Sequence, residues 1–412
     1  MADRGLGTGL DTGLDTARIR SHFPALDAGV AHFDGPGGSQ VPLVVAQAVA
    51  DAMTSGMCQR GTLTASERRT DAVTLAARQA VADLVGGDPG GVVFGRSMTQ
   101  LTMDLARTLA QDWGPGDEVV VTRLDHDADI RPWVIAAERS GATVRWLGFD
   151  PVTTDLDDVT PLLSERTRVV ALTGASNLLG TRPDVAAVAA AAHAVGALVF
   201  VDAVHLTPHA PVDLASLGAD VLVCSPYKFF GPHLGALVAS PALLEGLRPD
   251  KLLPSSDAVP ERFELGTLPY ELLAGVTAAV DFIADLLPSP AVEGGPRRER
   301  VLASMAALEA HEDLLLHHLL DGLAGIEAVT VHGRPARRTP TVLFTVAGHS
   351  PGAVHRHLGE LGVNAPASHF YALEASRHAG LGDEGGVRVG LAAYTTRDEV
   401  DRLLDGVRAL LG

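Results

Sequence analysis

Between residues 80 and 240 the apolar positions gather in short runs separated by longer amphipathic stretches. The runs are VVF at 92–94, EVVVT at 118–122, TVRWL at 143–147 and RVVALT at 168–173, followed by ALVFVD and DVLVC. They are almost wholly apolar rather than alternating, as expected of strands covered by helices on both faces of a mostly parallel sheet. The stretches between them predict helices with short connections. Pro183 stands at a first-turn position before DVAAVAAAAHA, where its missing N–H costs nothing. The apolar segment 184–204 resembles a membrane span in length, but Asp184, His193 and Asp202 interrupt it and Gly196 splits it, so it reads as helix, turn and buried strand.

After residue 285 the texture changes. PSPAVEGGPRRER is rich in Pro, Gly and charge; a long helix is predicted near 298–322, then strand-like VTVH and TVLFTV, a further strand in VRVGL and a last helix near 396–411. The expected fold class is therefore α/β: a large domain over 21–290 with a mainly parallel sheet sandwiched by helices, and a smaller α+β C-terminal domain over 291–412. The start, MADRGLGTGLDTGLDTARIR, repeats a TGLD unit and lacks an apolar h-region, so residues 1–20 are expected to be a flexible tail rather than a signal peptide.

The length of 412 residues exceeds a single typical core. The formal net charge of −18, from 50 acidic and 32 basic residues, repels polyanions, so nucleic acid is not an expected partner, and neither is a membrane. A local cationic pocket for a phosphate or carboxylate is compatible with that total. Cys58 and Cys224 are too few for a disulfide framework and suit a reducing compartment, the cytoplasm by default. No metal site is expected.

In DVLVCSPYKFFGPHLGALVAS a buried strand ends in Ser225, Pro226, Tyr227 and Lys228 before a Gly/Pro loop. Ligands sit beyond the carboxyl ends of parallel strands, and a lysine there, flanked by hydroxyls and aromatic bulk, can be desolvated so that its amine is free for Schiff-base chemistry. Another strand, in VFVDAVHLTPH, delivers Asp202 and then His205. A buried carboxylate needs a partner, and a protonated pyridine nitrogen is a natural one; capping of the next helix is the plainer alternative.

Taken together, Asp202-x-x-His205, Ser225-x-Tyr227-Lys228 and Gly231-Pro232, with 26 residues from Asp202 to Lys228, resemble the class V aminotransferase group of fold type I pyridoxal 5′-phosphate (PLP) enzymes, in its cysteine desulfurase-like and selenocysteine lyase-like branch. The resemblance runs from about residue 30 to the end. It implies PLP as cofactor, Lys228 as the lysine that bonds its aldehyde, Asp202 at the pyridine nitrogen and His205 at the ring's phenolic oxygen. LDHDADIRPW resembles the family's Glu-His-His-x-Asn-Ile-x-Pro-Trp segment, which makes His126 the residue stacked on the ring. Thr99, next to Met98 at a predicted helix start, matches the phosphate-binding threonine. Ser225 and Tyr227 would add hydroxyl donors, and Thr267 would reach the phosphate of the neighbouring subunit, which implies a homodimer with shared sites. Asn177 and Arg388 match the positions that hold an amino acid's carboxylate. Gly37, Gly38 and Ser39 lie in a segment resembling the one that closes over the substrate.

The chain departs from the desulfurase pattern where a mobile small-domain cysteine would attack the substrate's sulfur. That stretch reads NAPASHFYALEASRHAGLGDEGG, and His369, Phe370 and Tyr371 stand there as candidate pocket residues. The resemblance then implies a PLP-dependent lyase cleaving a C–S bond of cysteine or an S-substituted cysteine by β-elimination, with Lys228 as base. The alternatives are transamination, epimerisation or decarboxylation on the same cofactor, or a non-catalytic PLP-binding partner protein.

Overall fold

The computed structural model describes residues 13–287 and 294–412. Its large sheet has seven strands in the order Val92–Gly95, Gly235–Ala239, Val221–Cys224, Leu198–Asp202, Thr167–Thr173, Glu118–Thr122, Thr143–Leu147. All six apolar runs read as strands lie in it. Gly235–Ala239, not foreseen, enters antiparallel to both its neighbours, because the connection from Val221–Cys224 holds only a short 3₁₀ turn and no crossover helix. The other four pairings are parallel. Thr173 lies opposite Asp202, and Asp202 opposite Val223, so the carboxyl ends of the central strands deliver their loops to one edge.

A second, antiparallel sheet of Ala367–Ser368, Gly386–Gly390, Thr341–Val346 and Val329–His332 packs against Arg297–Ala324, Pro351–Glu360 and Arg397–Leu410, with Leu319, Phe344, Val389 and Leu403 in its apolar core. Ala31 and Phe33 belong to that same core. The strand Ala31–His32 pairs in parallel with Val363–Asn364, and Gly390 N–H donates to the Phe33 carbonyl at 2.9 Å. The N-terminal segment is thus shared between the two parts of the molecule.

The expected tail is corrected in its last five residues. Thr16–Arg20 is a helix capped by Asp15; Ile19 is fully buried, Arg18 donates to the Asp285 and Leu286 carbonyls at 3.0 and 2.6 Å, and Arg20 pairs with Glu399 at 3.0 Å. One apolar side chain and two arginines suffice to anchor so short a helix, and none of them forms a periodic pattern. Residues 1–12 lie outside the described residues, and so does the expected boundary near 290, which falls in 288–293. Among the described residues no helix is long and apolar enough to cross a membrane.

One buried ion pair holds the edge strand next to the site. Arg78 grips both oxygens of Glu264 at 2.8 and 2.9 Å, and Glu264 also accepts from Phe94 N–H at 2.9 Å. Replacing Glu264 by Ala leaves the buried Arg78 with only the longer contact to Glu261, at 3.5 Å, for a charge partner. Urea unfolding is expected to show a loss of about 3–5 kcal/mol, the usual consequence of removing one partner of a buried pair. A loss under about 1 kcal/mol would mean that water reaches Arg78.

Candidate active site

Beyond the carboxyl ends of the central strands lies a cavity of about 700 Å3. Leu198–Asp202 brings Asp202 to its floor, and the turn Pro226–Lys228, following Val221–Cys224, brings Lys228 beside it. Asp202 accepts from Val204 N–H at 2.9 Å. Burial pushes its carboxyl up to about 6, opposed by that hydrogen bond and by the charge of Lys228. The Lys228 ammonium is brought down to about 7, first by burial and then by Arg388, with Asp202 opposing. The amine donates to the Pro36 carbonyl of the N-terminal segment.

At one end of the cavity Met98–Leu109 begins, capped by Ser97, whose side chain accepts from Gln100 N–H. The first N–H groups of a helix have no intrahelical acceptor, so Met98 and Thr99 present an anion-attracting terminus. The Ser225 and Tyr227 hydroxyls also line this space and have no protein partner among the described residues. The close approach depends on Gly235, where an added Cβ would lie 2.2 Å from the Ser97 carbonyl carbon and 2.4 Å from Met98 N.

His126 lines the wall. Its Nδ1 accepts from Ala128 N–H at 3.0 Å, and its ring faces that of Tyr371 at 5.6 Å with 28° between planes. Burial, and next the Lys228 charge, bring the imidazole down to about 4, so it is neutral and flat at physiological pH. His205 also reaches the cavity. Its Nε2 lies 2.8 Å from Thr341 Oγ1, its Nδ1 is buried without a protein partner, and burial holds it well below the ordinary histidine range.

Across the cavity Arg388, on Gly386–Gly390, is only 3% exposed. It donates to the Asn177 carbonyl at 2.9 Å and lies 3.7 Å from the Phe370 ring centroid, while its Nε has no partner. Among the described residues no carboxylate bridges it, and burial lowers it to about 9. Such a cation is built to receive an anion. Asn177 Nδ2 donates to the Phe370 carbonyl at 3.0 Å, and Asp127 N–H to the Tyr371 carbonyl at 2.7 Å. These bonds hold Phe370 and Tyr371 at φ 49° and 60°, a conformation that L residues adopt only when their surroundings impose it. His369 lines the same wall.

Fourteen of the residues expected at the site therefore meet in one cavity: Gly37, Met98, Thr99, His126, Asn177, Asp202, His205, Ser225, Tyr227, Lys228, His369, Phe370, Tyr371 and Arg388. Three others do not. Gly38 and Ser39 lie off its lining, although their neighbours Pro36 and Gly37 stand on it. Ser39 Oγ donates to the Tyr227 carbonyl at 3.3 Å and accepts from Phe230 N–H at 2.8 Å, tying the N-terminal segment to the lysine turn. Thr267 is exposed and outside the cavity. Met103, Arg131, Thr173 and Ser368 line the cavity without having been foreseen. Arg131 alone carried a readable signal, an i,i+4 pairing with Asp127 that the structure forms at 3.0 Å. Cys224 is fully buried, its thiol pushed up to about 12 by burial; Cys58 is exposed. Neither lines the cavity. An amine beside a buried carboxylate, free hydroxyls at a helix start and a flat neutral imidazole suit an aldehyde-bearing, phosphorylated, nitrogen-containing ring.

The family described as Aminotransferase class-V matches residues 31–293 and 299–403. An uncharacterized protein of Mycobacterium tuberculosis is 37% identical over 96% of this chain and 98% of its own length. A probable cysteine desulfurase of Mycobacterium leprae is 32% identical over 95% of this chain and 96% of its own. Among solved structures, the cysteine desulfurase CsdA from Escherichia coli superposes with a TM-score of 0.84 at 26% identity, covering 96% of this chain and 98% of that one.

Proposed function

Because the chain belongs to the class V aminotransferase family, a family that depends on PLP, we propose that it is a lyase cleaving the C–S bond of cysteine or an S-substituted cysteine by β-elimination. The observation that carries this reading is a cavity holding Lys228, Asp202 and Arg388 but no thiol. When bound, PLP supplies an electron sink for the carbanion at Cα. Lys228 would hold its aldehyde, with Asp202 at the ring nitrogen, His205 at the ring oxygen and His126 over the ring face. Thr99, Ser225 and Tyr227, with the Met98 N-terminus, would take the phosphate. Arg388 and Asn177 would hold the substrate's α-carboxylate, which fixes the Cα–H bond towards Lys228. Once the substrate's own amine had displaced Lys228 from the aldehyde, the freed Lys228 amine would take the α-proton, the Cβ–S bond would break with its electron pair leaving on sulfur, and water would complete the products pyruvate, ammonia and a thiol or sulfide.

The relatives named as cysteine desulfurases support this sulfur chemistry, and the replacement of a loop cysteine by His369, Phe370 and Tyr371 favours elimination over persulfide transfer. Incubation of the PLP-loaded protein with cysteine, cystine and S-alkyl cysteines is expected to yield pyruvate with an equal amount of, respectively, sulfide, cysteine persulfide and alkyl thiol. A keto acid that retains the substrate's side chain would replace the lyase by an aminotransferase. Alanine with a persulfide on Cys58 would restore the thiol route, and a spectrum unmoved by every amino acid would leave a PLP-binding partner protein.

The same reading includes a homodimer, with Thr267 serving the neighbouring site. Thr267 is exposed, and Leu63 and Leu265 are 85% and 52% exposed, apolar surface that a neighbouring subunit would cover. Two cysteines, one wholly buried, suit the cytoplasm. The lowered Lys228 value makes a further test. Only the neutral amine adds to an aldehyde, so the rate at which cofactor-free protein takes up PLP is expected to rise through a midpoint near 7. A midpoint at the ordinary lysine value of about 10.4 would show that Lys228 is solvated.

A further inference from the structure

Behind Asp202 stand two more carboxyl groups, Asp125 and Asp129, both fully buried. Asp125 Oδ2 accepts from the Thr122 hydroxyl, and Asp129 Oδ1 accepts from Trp133 Nε1–H at 3.1 Å. Asp125 Oδ1 and Asp129 Oδ2 remain, buried and without a protein donor, and the two carboxyls lie within hydrogen-bonding reach of each other. Two acceptor-only groups cannot bond to one another, and two bare charges at that separation are untenable away from water. One proton between them satisfies both orphaned oxygens.

We propose that Asp129 keeps a proton and donates it to Asp125, so that the pair carries one negative charge and acts as a positioning element for Asp202. The groups that face the pair fit this. Thr122 donates from the strand Glu118–Thr122 and Trp133 from the helix Arg131–Ser140, and the Thr173 backbone at the end of Thr167–Thr173 lies beside Asp125. The charge facing both is Asp202 itself, whose further neighbours are Lys228 and the neutral, buried Cys224. No cation touches the pair among the described residues. Burial drives both carboxyls well above the ordinary range, Asp129 under the added repulsion of Asp125 and Asp202. A doubly ionised pair would push Asp202 towards its neutral form, whereas a singly charged one leaves it the charge that meets the ring nitrogen. In the family segment that LDHDADIRPW resembles, an asparagine stands at the place of Asp129, and a protonated acid, like an amide, can donate a hydrogen to one neighbour while its other oxygen accepts.

The role at Asp202 rests on the proposed PLP function, but the shared proton does not, so the experiment separates them. In a Glu312→Gln background, which removes another buried acid raised to about 7, infrared spectra of the full-length protein at neutral pH are expected to show the C=O stretch of a protonated carboxyl that shifts in D2O. Asp129→Asn should delete the band. Asp125→Asn should displace it, since the proton stays on Asp129. Absence of the band, or its survival unchanged in both variants, overturns the proposal.

Stability gives a second readout. A carboxyl whose folded value is raised stabilises most below the unfolded value of about 3.9, and that contribution is lost as pH rises towards the folded value. Wild-type Tm is therefore expected to fall between about pH 4 and neutrality relative to Asp129→Asn, and parallel curves would refute the shared proton. With PLP present, Asp129→Asn should keep the cofactor's Kd within about threefold while Asp129→Ala weakens it by about tenfold or more, the cost of an unsatisfied buried acceptor. Equal weakening by both would reject the positioning role while leaving the infrared result to stand or fall alone.

Discussion

Lys228→Ala is expected to give a folded but colourless protein whose turnover has fallen by about 10⁴-fold or more, the upper end of what one positioned base contributes. The expectation follows from the placement of the amine. It is nearly desolvated, its acidity is raised until about half of it is neutral near pH 7, and it shares one cavity with the carboxylate of Asp202. Borohydride reduction of the wild-type holoprotein, followed by digestion, should leave the cofactor's mass on the peptide that contains Lys228. Recovery of that mass on Lys251 instead, or a variant that stays yellow through dialysis, would remove the central residue of the proposed chemistry.

Arg388→Ala should act on binding rather than on the bond-breaking step. The guanidinium is almost wholly buried, rests on Phe370 and holds an unpartnered Nε, so a carboxylate reaching it would form charge-assisted bonds in a water-poor place. Truncating one partner of such a contact costs about 2–5 kcal/mol, and each 1.4 kcal/mol is tenfold. The KM for an amino-acid substrate is therefore expected to rise by roughly two to three orders of magnitude, with kcat within about tenfold of wild type. A kcat that collapses while KM holds would place Arg388 at the reacting centre.

Much of this arrangement was legible before any coordinates. Runs such as VFVD and VLVC are apolar on both faces, and only a strand enclosed by helices uses residues in that way; their carboxyl ends point to Asp202 and Lys228 as site residues. Gly235–Ala239 escaped notice because it shares composition with its neighbours and differs only in direction, which depends on the length of a connection. Ile19 is a single apolar side chain in a polar stretch and carries no period. Ser39 bonds the backbone of residues some 190 positions away, and Thr341 meets His205 across 136; contacts of that range leave no local mark. Phe370 and Tyr371 were expected at the pocket, but their left-handed backbone comes from bonds to Asn177 and Asp127, not from their own preference. Asp125 and Asp129 carry no mark of their own, since nothing in DHDAD records that both are turned inward.

The segment that carries Pro36 has a consequence for how the protein is made. His32 and Asn364 are 332 positions apart and lie within hydrogen-bonding distance, at 3.3 Å, in a strand pair whose second half is synthesised long after the first. Until Val363–Asn364 emerges from the ribosome, the segment with the carbonyl that receives Lys228 lacks its partner strand, and Arg388 follows later still. A nascent chain can assemble the seven-stranded sheet early, but it closes the pocket only when Ala31–His32 meets Val363–Asn364, so ligand capture waits for that distant pairing.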